Sequence, residues 1–257
     1  MRITSAQNPK IKEVIKLRKA GKRREEDLII VEGKKETEMA LAAGLKPEAF
    51  FFCPEYGMPP VFPAGIELFE TTPEIFKKIS LRENPDGWLM LARPGYLKLG
   101  EVRLSGNPLV IILETVEKPG NLGAILRTAD AAGADAVIVT DPKTDIYNPN
   151  VIRASRGTVF AVQTAVSSAN EVMHWLRKNK INILAAAPET DMFYTEPDYR
   201  GPTAIVIGAE HEGLSETWFK AADKKIKIPM KGKIDSLNAS VSAAIIVYEA
   251  VRQREKK

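Results

Sequence analysis

The sequence predicts an α/β protein in two parts: a small N-terminal α/β domain over residues 1–92 and a larger α/β domain with a mostly parallel sheet over 109–257. Three observations predict it. Apolar runs such as LVIIL at 109–113, AVIV at 136–139 and AIVI at 204–207 alternate with stretches of helical period, as in parallel strands buried on both faces. Residues 93–108, RPGYLKLGEVRLSGNP, are rich in Gly and Pro and keep no period, which marks a linker. Hydrophobic residues make up 44% of the 257, sufficient for a core in each part.

In the first part, Asn8-Pro9 opens a helix, since Asn caps and Pro suits the first turn. Ile11, Val14, Ile15 and Leu17 form its apolar face. A short apolar strand follows at 28–31, then a helix from Glu32-Gly33 to about 43, strands at 49–53 and 66–69, a helix at 73–79 and a strand at 88–91. In the second part, strands at 109–113, 136–139, 181–185, 204–207 and 225–228 are separated by helices at 122–132, 169–178 and 215–222. The last helix places Leu237, Val241, Ala244, Ile245, Tyr248 and Val251 on one face, and Ile246 and Val247 extend the apolar surface around it. A helix apolar nearly all round is deeply buried.

The net charge is +4, but residues 1–35 alone hold eleven Lys/Arg against five Asp/Glu. That local excess fits a polyanionic partner, and equally a solvated helix face. Cys53 is the single cysteine, which excludes a disulfide framework and a Cys-based metal site, and its place after three Phe suggests a buried thiol. His174 and His211 form no spaced ligand set, so no metal is expected. No N-terminal h-region and no apolar run of membrane-spanning length occurs, so a cytoplasmic protein without membrane contact is expected.

Three polar clusters follow strands of the second part. In ETVEKPGNLGAILRTADAAGA, 114–134, Asn121 is a candidate N-cap for a helix burying Leu122, Ile125, Leu126 and Ala129, with Arg127 and Asp130 on its other side. A plain capped helix with a surface Arg–Asp pair fits the same residues. In IGAEHEGLS, 207–215, Gly208 and Gly213 bracket Glu210 and Glu212; glycine at a strand end admits a ligand close to the backbone, or makes an ordinary turn. The third, SLNASVS at 236–242, places small hydroxyls and Asn where the last helix begins, so free backbone N–H groups and side-chain donors face outward. Neither G-x-G-x-x-G nor G-x-x-x-x-G-K-[ST] follows any strand, and no Ser-His-Asp ordering is plausible. Asn, Arg, Glu, Ser and backbone amides suit binding and positioning rather than covalent catalysis.

In this order, N-x-G-x-I-x-R-T-A at 121–129, I-G-x-E-x-x-G-L-S at 207–215 and the strand plus SLNxSVS at 226–242 resemble the three motifs of the SpoU (TrmH-like) RNA ribose 2′-O-methyltransferases of the SPOUT superfamily. The stretch SAQNPKIKEVIKLRKAGKRREEDLIIVEG resembles the substrate-binding domain joined to many of them, which has a ribosomal-protein-like fold. The resemblance implies a C-terminal trefoil-knot domain, S-adenosylmethionine as methyl donor, no metal and a homodimer through the C-terminal domain. It implies donor binding by Gly208, Ile228, Met230, Ser236 and Leu237, and catalytic roles for Asn121, Arg127, Glu210, Ser236 and Asn238. A guanidinium keeps its proton at physiological pH, so Arg127 is expected to orient the ribose hydroxyl and adjacent phosphate. A basic N-terminal helix with Lys10, Lys12, Arg18, Lys22, Arg23 and Arg24 is the expected RNA contact, most naturally for ribosomal RNA. Alternatives are a transfer RNA methyltransferase of the same family, or a non-catalytic RNA-binding or ribosome-assembly factor on this scaffold.

Overall fold

The computed structural model describes every residue except Val61, Pro63, Ala64, Glu210, His211, Lys256 and Lys257. The chain divides into two compact units, Met1–Gly95 with Asp145–Ala161, and Tyr96–Thr144 with Val162–Lys257.

The first unit contains β1 (Arg2–Ile3), α1 (Pro9–Lys16), α2 (Ala20–Glu26), β2 (Ile29–Glu32), α3 (Lys34–Ala42), β3 (Pro47–Phe52), β4 (Glu67–Thr71), α4 (Pro73–Ile79) and β5 (Trp88–Ala92). Its sheet has the order β1-β4-β3-β5-β2. β4 is parallel to β1 and β3, whereas β5 runs antiparallel to β2 and β3. Local chemistry sets the helix starts. The Asn8 side chain accepts from Lys10 N at 2.9 Å and Thr72 from Ile75 N at 3.4 Å, each just before a Pro in the first turn. Ile11, Val14 and Leu17 then join Phe51, Phe69 and Phe76 in one core.

The second unit contains β6 (Leu109–Glu114), α5 (Pro119–Ala131) and β7 (Ala136–Thr140); the chain then makes α6 (Pro149–Ala154) and α7 (Thr158–Ala161) before returning as β8 (Thr164–Ser167). After it come α8 (Ala169–Lys178), β9 (Asn182–Ala186), β10 (Thr203–Ile207), α9 (Glu216–Ala221), β11 (Lys224–Ile226) and α10 (Ala239–Glu255). The sheet order is β11-β9-β10-β6-β7-β8, and every pairing is parallel. From central β6 the chain builds outward through β7 and β8, then crosses to build the other half. Such a reversal leaves a crevice at the carboxyl ends of the strands.

Three expectations change. The basic N-terminal segment is two helices, not one: α1 ends at Lys16 and α2 starts at Ala20, stopping where Asp27 turns left-handed at φ 51°. The last helix buries Ala243, Ile246, Val247 and Ala250, the face packed on α5 and β10; Val241 and Tyr248 are 45% and 48% exposed. Both faces carry apolar residues at helical spacing, so period alone did not single out the buried one. Finally, residues 145–161 lie with the first unit. Ile146, Tyr147, Val151, Ile152 and Val159 are buried, and Tyr147 donates from its hydroxyl to Gly95 O at 2.7 Å. Gly157, at φ 84°, passes so close to α3 that a Cβ there would stand 3.0 Å from Glu36 Cα. Among the described residues no helix is long and apolar enough to cross a membrane.

Candidate functional site

The loops that leave β9, β10 and β11 close around one cavity of about 260 Å³ at the carboxyl ends of the strands. Its apolar wall includes Ile207, Ile226, Ile228, Met230, Leu237 and Ile246. Its polar lining includes Glu189, Asp235, Ser236 and Ser242. An apolar cleft with a few convergent polar groups is the usual form of a small-ligand site. Gly208, Ile228, Met230, Ser236 and Leu237, 29 residues apart at their extremes, all line it.

The β10 loop is held by its own backbone. Ala209 and Gly213 exchange N–H···O bonds of 3.0 and 3.1 Å, with Gly213 at φ 67°. That fold-back brings Gly213 against Gly208: a Cβ on Gly208 would lie 2.3 Å from Gly213 C and O and 2.6 Å from Leu214 N. Every one of those neighbours is backbone, so no side chain can give way. The far end of the loop is tied by Glu114, the last residue of β6. Its carboxylate, 6% exposed, accepts from Ser215 N at 2.8 Å. Sequence reasoning missed Glu114; its signal was a charged residue ending an otherwise apolar strand run. Lys143 lies 2.5 Å from Glu117 and 3.8 Å from Glu212, linking the loops after β6, β7 and β10, and the hydrogen bond it donates to Glu117 raises its pKa.

Asn121 is not the N-cap of α5. Pro119 takes the first turn and Lys118 is the cap, so Asn121 sits inside that turn with its side chain turned outward. Asn238 Nδ2 donates to Asn121 Oδ1 at 3.1 Å across 117 residues of sequence. Asn238 Oδ1 in turn accepts from Ser240 N at 3.0 Å and Ser240 Oγ at 2.6 Å, which fixes the amide's orientation at the start of α10. Asn121 also borders a small second cavity that shares Gly208, Ala209 and Ala239 with its neighbour. The first and third motifs therefore meet beside the main cavity. Arg127 is exposed on α5, does not line the cavity, and makes no hydrogen bond or ion pair among the described residues, Asp130 included. Glu210 lies outside the described residues.

The basic residues of α1 and α2 are put to different uses. Arg23 is 3% exposed: it donates to Leu17 O and Arg18 O and pairs with Asp145 at 2.7 Å. A guanidinium so enclosed is not available to a phosphate, which corrects the expectation for that residue. Arg18 donates to Lys78 O at 2.7 Å and Ser80 O at 3.0 Å. Lys10 pairs with Glu67 and Lys22 with Glu25. Lys12 and Arg24 are exposed and make no side-chain hydrogen bond or ion pair among the described residues. Cys53 is buried, and desolvation pushes its thiol up to about 11, out of the range of a reactive thiolate at neutral pH. Among the described residues no three His, Cys, Asp or Glu cluster as metal ligands would.

Residues 108–248 match the SpoU rRNA Methylase family, and residues 8–90 match the MRM3-like substrate binding domain. The 23S rRNA (guanosine(2553)-2′-O)-methyltransferase RlmP of Bacillus subtilis (strain 168) is 27% identical over 96% of this chain and 97% of its own length. The 23S rRNA (uridine(2479)-2′-O)-methyltransferase of Streptomyces viridochromogenes is 38% identical over 57% of this chain, a match that spans only 53% of that relative. A crystal structure of an RNA 2′-O ribose methyltransferase superposes with a TM-score of 0.87 at 44% identity, covering 99% of both chains. An AdoMet-bound rRNA methyltransferase from Sinorhizobium meliloti superposes at 0.91 with 29% identity, over 98% of this chain and 97% of the other.

Proposed function

This chain belongs to the SpoU rRNA methylase family, and on that premise we propose that it methylates a ribose 2′-hydroxyl of ribosomal RNA with S-adenosylmethionine as donor. The observation that carries the reading is the convergence of Gly208, Ile228, Met230, Ser236 and Leu237 on one cavity, with the Asn121–Asn238 bridge beside it. The residues present fit the donor: the apolar wall suits its adenine, the strand-end backbone suits its ribose hydroxyls, and the tight Gly208 turn leaves the wall free of side chain. When bound, the donor supplies a methyl group on sulfonium for in-line displacement by the ribose oxygen.

The protein's share is positioning. Asn121 and Asn238, locked to each other and to Ser240, hold the motif-one and motif-three loops at a set separation, so the ribose meets a fixed amide edge. Arg127, without a partner among the described residues, would orient the hydroxyl and the adjacent phosphate. Glu210 would brace that group, and Ser236 at the cavity wall would add a hydroxyl donor. The exposed apolar stripe of α10, Val241 and Tyr248 with half-buried Ala244, Ile245 and Val251, supports a homodimer through this unit. A ribosomal RNA substrate would set the work in the cytoplasm. Ribose-methylation mapping of total RNA from cells with and without the gene tests the assignment, and one ribosomal 2′-O-methyl site should vanish with it. Arg127→Ala should abolish turnover while calorimetric donor binding persists; near-normal turnover would remove Arg127 from the reaction.

A further inference from the structure

On the first unit, the unpaired cations form a pattern that the linear sequence hides. Lys12 and Lys16 stand one turn apart on the side of α1 turned away from buried Ile11 and Val14, and Lys19 follows in the turn before α2. α4 packs against α1 and presents Lys77 and Lys78 in its last turn, while Ile75, Phe76 and Ile79 face the core. Arg18 ties the two together through its bonds to Lys78 O and Ser80 O. It therefore pins the end of α4 beside the turn that carries Lys19. All five lysines are exposed, and none makes a side-chain hydrogen bond or ion pair among the described residues. Neighbouring cations elsewhere on the unit are paired: Lys10 with Glu67, Lys22 with Glu25, Arg93 with Glu48. The acids on the two helices are Glu13, whose carboxylate is 4.0 Å from Lys10, and Glu74, one turn before Lys77 and Lys78.

We propose that Lys12, Lys16, Lys19, Lys77 and Lys78 form one phosphate-binding face for the RNA substrate, with Arg18 as its strut. The inference rests on the RNA reading above and assigns the contact to two packed helices instead of one basic segment. Five like charges with only Glu74 close to them among the described residues repel one another, and an external polyanion relieves that repulsion. The cations spread over two helices rather than converging, which suits a run of phosphates better than a single small anion.

The test uses the full chain and fluorescein-labelled fragments of unmodified 23S rRNA. Affinity is measured over a series of salt concentrations for wild type, for Lys77→Ala/Lys78→Ala and for Lys12→Ala/Lys16→Ala/Lys19→Ala. Donor affinity and thermal unfolding are measured beside it. Each set should weaken RNA binding and lower the slope of log K against log salt by about 0.7–0.9 for each phosphate no longer neutralised, with donor affinity unchanged. Lysines near helix ends can also serve the helix dipole. RNA affinity and slope that stay at wild-type values, whether or not the melting temperature moves, overturn the proposal in favour of that role. Wild-type protein that binds none of the fragments overturns the RNA reading itself.

Discussion

The strand-end loops of the second unit and the basic helices of the first are held by opposite means. Around the cavity, backbone meets backbone: Gly208 lies against Gly213, Ala209 pairs with Gly213, and Glu114 reaches a main-chain N–H. In α1 and α2, charged side chains hold the structure, with Arg23 gripping two carbonyls and Asp145, and Arg18 capping α4. A site built on backbone tolerates little added volume, because nothing around it can rotate away. A segment tied by buried charge tolerates little loss of charge, because its partner is left unpaired.

Three substitutions press on that contrast. The largest effect is expected at Arg23. Arg23→Ala leaves Asp145 without its cation and should cost about 3–5 kcal/mol, read as a drop in the unfolding midpoint. Its neighbour Arg24, exposed, should change stability by less than about 0.5 kcal/mol when replaced by Ala. Equal effects at the two positions would mean that Arg23 does not carry the tie. Next is Gly208→Ala, where a single methyl group meets backbone. Overpacking of this kind costs about 1–3 kcal/mol, or about tenfold to hundredfold in donor affinity by calorimetry. An alanine variant with wild-type affinity would show that the loop opens freely. The smallest effect is expected at Glu114. Glu114→Ala removes the acceptor for Ser215 N and should weaken donor binding by about 1 kcal/mol, whereas Glu114→Gln keeps an acceptor and should recover most of it. Equal losses in both variants would make the charge, not the anchor, decisive.

The same contrast explains what could be read before the fold. Runs such as LVIIL and AIVI announced β6 and β10 because parallel strands buried on both faces need unbroken apolar sequence. β1, α6, α7 and β8 escaped because each is short, and α6 and α7 bury their apolar residues within the first unit, far from them in sequence. That placement has a practical consequence: deleting residues 1–92 would strip the packing partners from Ile146, Val151 and Ile152, so point substitutions test the RNA surface more cleanly than truncation. Gly208 and Asn238 stood out through the resemblance of their motifs, since glycine at a strand end and Asn at a helix start also serve ordinary turns and caps. Glu114 did not, because one carboxylate at a strand end looks like any other until its partner, 101 residues on, is known.

Composition and period by themselves determined the α/β class and the three polar loops, since strand burial and helix capping are local requirements on residue type. Only the tertiary structure decided which side of α10 is buried, which arginines are occupied and which lysines stand together. Those outcomes depend on partners distant in the chain, and a charged side chain looks the same in sequence whether it meets a carbonyl, a carboxylate or water.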